Sequence, residues 1–226
     1  KQASVGILHR KGTPPTGVQG TNSMKKVLQR TVQVVFLALF VFLLIQGKVQ
    51  VWMAIFVGST ILALLFSRFY CGWICPINTI LRPMAYLKKK LKIKSLKTPA
   101  FFKNGVFRIL MLLGFLTVMV VVFRTGKKLP VLPSLVVAAV FLSLFFEEEL
   151  WHHWLCPYGT ILSLPARGAK KSMVIDPSLC NNCTRCAKAC PSGAIVKEEK
   201  HRIVKSECLV CHECERVCTK GAISYK

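Results

Sequence analysis

The sequence predicts a membrane all-α fold, four transmembrane helices in two parallel-repeat hairpins, followed by a small C-terminal α+β domain. Three observations carry this expectation. First, the 226-residue chain combines a mean hydropathy of +0.47 with 32 Lys and Arg against 9 Asp and Glu, a pairing natural to integral membrane proteins with basic flanks. Second, all nine acids stand at Glu147 or later, so residues 1–146 and 147–226 meet different solvents. Third, eight of the eleven cysteines crowd between Cys180 and Cys218 at regular spacing, which reads as metal ligation rather than a secreted disulfide framework. An apolar content of 53% excludes disorder.

Three regions follow. Residues 1–24 are polar, with Gly and Pro and no periodicity, and are expected to be a mobile tail, with Met24 as a natural start. A signal peptide is disfavoured because no small-residue cleavage site follows the apolar run. Residues 25–168 form the transmembrane domain, and residues 169–226 the cysteine-rich domain.

Within the second region, apolar stretches run from Val27 to Ile45, Val49 to Ser67, Val106 to Phe123 and Leu129 to Phe146. Each approaches the ~20 residues that cross a hydrocarbon core. Arg30 and Arg108 fall near the ends of their stretches, where a long side chain reaches the headgroups. Of the 32 basic residues, 28 lie in the terminal segments, the central loop or, as Arg30 and Arg108, at the stretch ends that adjoin them, so by the positive-inside rule these segments are cytoplasmic. The run of Glu147, Glu148 and Glu149 reads as a solvated helix end.

The chain contains a duplication. Placing Cys156 on Cys75 aligns YCGWICPINTIL with WHHWLCPYGTIL, an offset of 81 residues. Parallel repeats of this kind are related by a pseudo-twofold along the membrane normal, which brings the two cysteine segments together. Pro76 is expected to open a helix at its first position, where its missing N–H costs nothing. The position matching Cys71 is His152, so Cys71, Cys75, Cys156 and His152 form a candidate further metal site, with His153 adjacent. Plain packing of buried cysteines and a redox-active thiol pair are the other readings. Trp73, Trp151 and Trp154 read as interfacial anchors or as lining for a membrane-soluble ligand.

The strongest signal lies in the tail. From Cys180 the sequence reads CNNCTRCAKACP and from Cys208 CLVCHECERVCT, each a C-x2-C-x2-C-x3-C run, 28 residues apart. This is the spacing of a bacterial two-cluster ferredoxin, in which the fourth cysteine of each run reaches the other cluster. Cys180, Cys183, Cys186 and Cys218 are thereby assigned to one 4Fe-4S cluster, and Cys190, Cys208, Cys211 and Cys214 to the second. Zinc is the rival occupant, but zinc modules seldom place four cysteines in a twelve-residue run and repeat it. Flanking apolar strands at 173–175, 194–196, 202–204 and 222–225 make a β-α-β-β-α-β pattern. His212, between two cysteines, reads as a surface residue.

On these motifs the sequence resembles the NapH-type membrane-bound iron–sulfur quinol dehydrogenases, over residues 25–226. The resemblance implies a multi-pass protein of a prokaryotic cytoplasmic membrane, with both termini and the ferredoxin-like domain inside. It implies electron transfer between the quinone pool and a redox partner through two 4Fe-4S clusters, as one subunit of a larger oxidoreductase complex. The departure is His152, where family members have cysteine. A membrane assembly or maturation factor, using Cys71, Cys75 and Cys156 for metal or disulfide chemistry, is the alternative. The basic run Lys88–Lys97 is expected to attract anionic lipid rather than nucleic acid.

Overall fold

The structure is a computed structural model, described here for residues 16–93, 95–125 and 131–226. Helices α1 (Thr16–Ile45) and α2 (Val49–Phe66) form the first hairpin. Their turn is closed by Gly47 at φ +66°, with Gly47 N–H donating to Leu44 and Lys48 N–H to Leu43, the bonding of a Schellman cap. Ser67 at φ 60° ends α2, after which the short α3 (Phe69–Trp73) and α4 (Pro76–Lys90) follow. Helices α5 (Gly105–Thr125) and α6 (Val131–Phe145) come next, then a π-helical turn at Leu150–Leu155 and α7 (Pro157–Ala166).

These helices are inside-out relative to a water-soluble bundle. Val34, Val57, Ile61, Leu110, Leu113 and Phe141 face outward, whereas Gln29, Gln33, Arg68 and Asn78 are buried. Met24–Ile45, Val49–Phe66 and Gly105–Val122 are long and apolar enough to cross a membrane. At 15 residues α6 is shorter than the expected Leu129–Phe146 stretch, about 22 Å at 1.5 Å per residue; 129–130 lie outside the described residues.

The C-terminal unit is β1 (Met173–Ile175), α8 (Arg185–Ala189), β2 (Ile195–Lys197), β3 (His201–Ile203), α9 (Glu213–Val217) and β4 (Ile223–Tyr225). Strands β1 and β4 pair antiparallel with Val174 opposite Ser224, and β2 and β3 pair antiparallel with Val196 opposite Arg202. The linker is tied to the helices, because Lys170 N–H and Lys171 N–H donate to the terminal carbonyls of α2 at Leu64 and Leu65 (3.3 and 2.8 Å).

Two expectations change. The polar tail does not extend to residue 24: α1 starts at Thr16, and residues 1–15 lie outside the described residues. With no proline after Pro15 to interrupt it, a helix nucleated in the apolar run extends backward at one hydrogen bond per residue. Lys88 does not face lipid: it is buried, and its ammonium donates to the carbonyls of Ser143 (2.8 Å) and Phe146 (3.3 Å) at the end of α6. Those carbonyls have no partner within their own helix, so a cation there is favourable. Lys94 lies outside the described residues.

Candidate iron–sulfur centres and the adjoining cysteine segments

The two cysteine runs fold alike. Asn182 and Thr184 in the first run, and Val210 and His212 in the second, all adopt positive φ between 51° and 62°. Gly193 and Gly221, also 28 apart, share φ +62°. Left-handed backbone at non-glycine residues costs about 1–3 kcal/mol each and persists where the surroundings enforce it. Here it curls each loop so that its cysteines turn inward and a short helix, α8 or α9, carries the fourth cysteine away.

That path sets the convergence. Cys180, Cys183 and Cys186 meet Cys218 around a small cavity walled by Ile175, Ala222 and Ile223. Cys208, Cys211 and Cys214 meet Cys190 around a second, walled by Met173, Ile195, Ile203 and Leu209. Among the described residues no three His, Cys, Asp or Glu side chains converge to hold a single metal ion. A multi-atom cluster fits that donor set, and Ala194 N–H donates to Cys190 Sγ (3.3 Å), the kind of bond that stabilises a ligating thiolate. Burial pushes the Cys208 thiol up to about 12 and raises Cys186, Cys211 and Cys214.

The duplicated segments are also alike. Cys75 and Cys156 are the N-cap residues of α4 and α7, each followed by proline at the first helical position. Thr79 and Thr160 donate to the Cys75 and Cys156 carbonyls (3.0 and 3.2 Å). Cys71, Cys75 and Cys156 lie in one buried core that also takes in Leu209 and, at its edge, Cys211. Burial and then the neighbouring thiols raise Cys75, and burial pushes Cys156 up to about 11. His152 is buried, its Nε2 has no hydrogen-bond partner, and burial followed by Arg82 and Arg68 pushes it down to about 3. The structure therefore brings the three thiols together without closing them and His152 on one ion. Beside them stands a cation, Arg68, which donates to Cys71 Sγ (3.9 Å) and to the His152 carbonyl (3.2 Å).

An ionic clamp joins the two parts. Glu207, one residue before Cys208, accepts from Arg68 (3.0 Å) and Arg108 (2.8 Å), and Arg68 is 1% exposed. Arg108 also donates to Thr160 and Ser163. Around this clamp Ser67 donates to the Lys205 carbonyl, Trp73 Nε1 to the Val210 carbonyl (3.0 Å) and Arg216 to Gln29 (2.6 Å). A Cβ on Gly72 would overlap the Leu209 carbonyl oxygen, so only glycine lets α3 approach the second cysteine loop this closely. Gln29 and Gln33 both donate to the Gly72 carbonyl (2.9 Å each). His153 bonds the Ser192 carbonyl and Glu149 packs on Gly193.

Four readings of the sequence are corrected by this interface. Arg108 reaches Glu207 rather than the headgroups, and Trp73 serves the joint rather than the membrane surface. Glu148 is half-buried, 4.0 Å from Arg82, with desolvation raising its pKa and Arg82 opposing. His212 is buried, bonded to Glu215 (2.7 Å) and edge-on to Trp73. In each case the apolar faces on both sides of the joint exclude water from groups that local sequence leaves exposed. The signal for the clamp was faint: one arginine just before Cys71 and one acid just before Cys208.

A family of 4Fe-4S binding domains matches residues 49–94 and again 129–173, and a second family of 4Fe-4S binding domains matches residues 172–195. An uncharacterized protein of Methanocaldococcus jannaschii is 29% identical over 172 residues, covering 74% of this chain and 68% of its own. The ferredoxin-type protein NapH of Haemophilus influenzae is 25% identical over 179 residues, covering 69% and 62%. The methylamine utilization ferredoxin-type protein MauN of Methylobacillus flagellatus is 27% identical over 158 residues, covering 62% and 55%. The chain thus spans between about half and two thirds of these relatives. No solved structure matches it. Cysteine runs, apolar helices and relatives together make the chain similar to the NapH-type 4Fe-4S ferredoxin proteins.

Proposed function

We propose that this chain is a membrane-bound iron–sulfur electron-transfer subunit working between the quinone pool and a redox partner. Cys180, Cys183, Cys186 and Cys218 hold one 4Fe-4S cluster; Cys190, Cys208, Cys211 and Cys214 hold the other. Each cluster, when bound, supplies a one-electron site whose potential follows hydrogen bonding and exposure. The chain's own residues set those conditions. Apolar walls keep water from the Cys208 set, Ala194 N–H bonds Cys190, and the clamp of Arg68, Glu207 and Arg108 fixes the Cys208 loop against the membrane segments. The observation that carries the reading is the crosswise convergence of the two runs, with Leu209 and Cys211 packed into the core of the helical part.

The four helices α1, α2, α5 and α6 are read as spanning, with both termini and the ferredoxin-like unit on the cytoplasmic side of a prokaryotic inner membrane. The distribution of basic residues supports this side, and Lys89, Lys90, Lys92 and Lys97 are placed to meet anionic lipid. A maturation factor is the second reading, favoured by three buried thiols beside Arg68. Replacing Cys75 by Ser separates the two: quinol oxidation survives it if the thiols serve maturation.

The test is iron and sulfide content with low-temperature EPR of the reduced, detergent-purified protein, followed by titration with a quinol analogue. Eight irons, a coupled two-cluster spectrum and redox exchange with the analogue are expected. Zinc in place of iron, or clusters inert to the analogue, overturns the reading.

A further inference from the structure

The two cysteine sets differ in what surrounds them. The Cys208 loop is covered, since Trp73, Gly72 and Gln29 close over it from the helical part. The Cys180–Cys186 loop is open: of the eleven cysteines only Cys183 is exposed. The side-chain hydrogen bonds of that loop go to Glu199 and His201, within its own unit.

The charged residues that line the cavity of the open loop are cationic. Arg185 and Lys220 stand at its cavity, and exposed Lys188, three residues after Arg185, shares that face of α8. Lys200 donates to the Cys180 carbonyl (2.8 Å). Four of the unit's glutamates are neutralised elsewhere: Glu198 by Arg202, Glu207 by Arg68 and Arg108, Glu213 by Arg216, Glu215 by Lys25. Asp176 is bonded to Ser178, and the remaining acid, Glu199, is exposed beside the loop, where its carbonyl accepts from Asn182. A cationic rim therefore frames the one solvent-facing thiol set.

We propose that this rim docks an acidic soluble electron-carrier protein, one electron passing between that carrier and the Cys180/Cys183/Cys186/Cys218 set. The inference rests on the iron–sulfur reading above and adds the class of partner and its face. Opposite charges around a redox centre steer encounter and fix orientation, raising association by about 10- to 1,000-fold at low salt.

The test uses the full chain in nanodiscs of zwitterionic phosphatidylcholine, with an acidic plant-type ferredoxin as the probe. A carbodiimide is expected to join probe carboxylates to Lys188 or Lys220. Association is expected to slow about tenfold or more between about 20 mM and about 300 mM salt. The K188E/K220E pair is expected to lose about tenfold at low salt, and K188Q/K220Q less, with iron content unchanged. Association indifferent to salt and to both pairs overturns the proposal. So does a charge reversal that weakens binding to anionic vesicles but not to the probe, since the rim is then a lipid contact. If a quinol analogue fails while the probe still docks with this salt dependence, the quinone reading falls and the docking face stands.

Discussion

Replacing Glu207 by Ala tests whether the ionic clamp holds the ferredoxin-like unit on the membrane part. Its carboxylate is 10% exposed and lies 3.0 Å from Arg68 and 2.8 Å from Arg108. At an effective dielectric near 20 each contact is worth roughly 5–6 kcal/mol before desolvation, most of which the cost of burying the charges offsets. What removal leaves is the larger matter: a guanidinium 1% exposed with no counter-charge, at a net loss of about 3–5 kcal/mol. Because the pair bridges two units, that loss falls on their docking. A loss of about 3 kcal/mol shifts the docked fraction by roughly 150-fold. Hydrogen exchange at the Lys170 and Lys171 amides, which bond Leu64 and Leu65, reads it directly. Both amides are expected to exchange up to about 100-fold faster in E207A, and an R68M/E207L/R108M triple to recover much of the protection, since apolar replacement of buried ion pairs is often neutral. Unchanged exchange in E207A would show the clamp to be worth no more than a surface pair and refute the reasoning.

Gly72→Ala is expected to cost about 1–3 kcal/mol, because its Cβ meets backbone at Leu209 that cannot swing away, and to broaden the EPR signal of the Cys208-run cluster before that of the other. A sharp, unshifted spectrum would contradict the close approach. Lys88→Met is expected to destabilise the protein by about 1–3 kcal/mol in denaturant titration, by stranding the Ser143 and Phe146 carbonyls, without weakening binding to anionic vesicles. Cys156, raised to about 11, carries roughly one thiolate in a thousand at pH 8, so its alkylation by a small maleimide in iron-free protein should climb about tenfold per pH unit from 8 to 10. The sign follows from a raised thiol pKa: the reactive form is missing below it and grows as pH rises. A flat profile would mean the thiol is not buried as described.

Sequence periodicity and spacing alone set out the helical hairpins, the doubled CP-initiated helices and the two cysteine runs, because each depends on neighbours within a few residues: turn glycines, a proline at a helix start, a fixed ligand interval. The exchange of Cys190 and Cys218 between cavities was also legible, since a repeated run with an outward helix permits that exchange. What only the tertiary structure decided is the joint. Arg68, Arg108, Trp73, Glu148 and His212 each look like surface or interfacial residues along the chain. Arg68 and His212 become buried and the others half-buried because two separately folded apolar faces close over them, and burial turns a weak surface charge into a group that must find a partner. Partners such as Glu207, 139 residues from Arg68, leave no local trace in the sequence, and the open and covered faces of the cysteine sets exist only once that joint has formed.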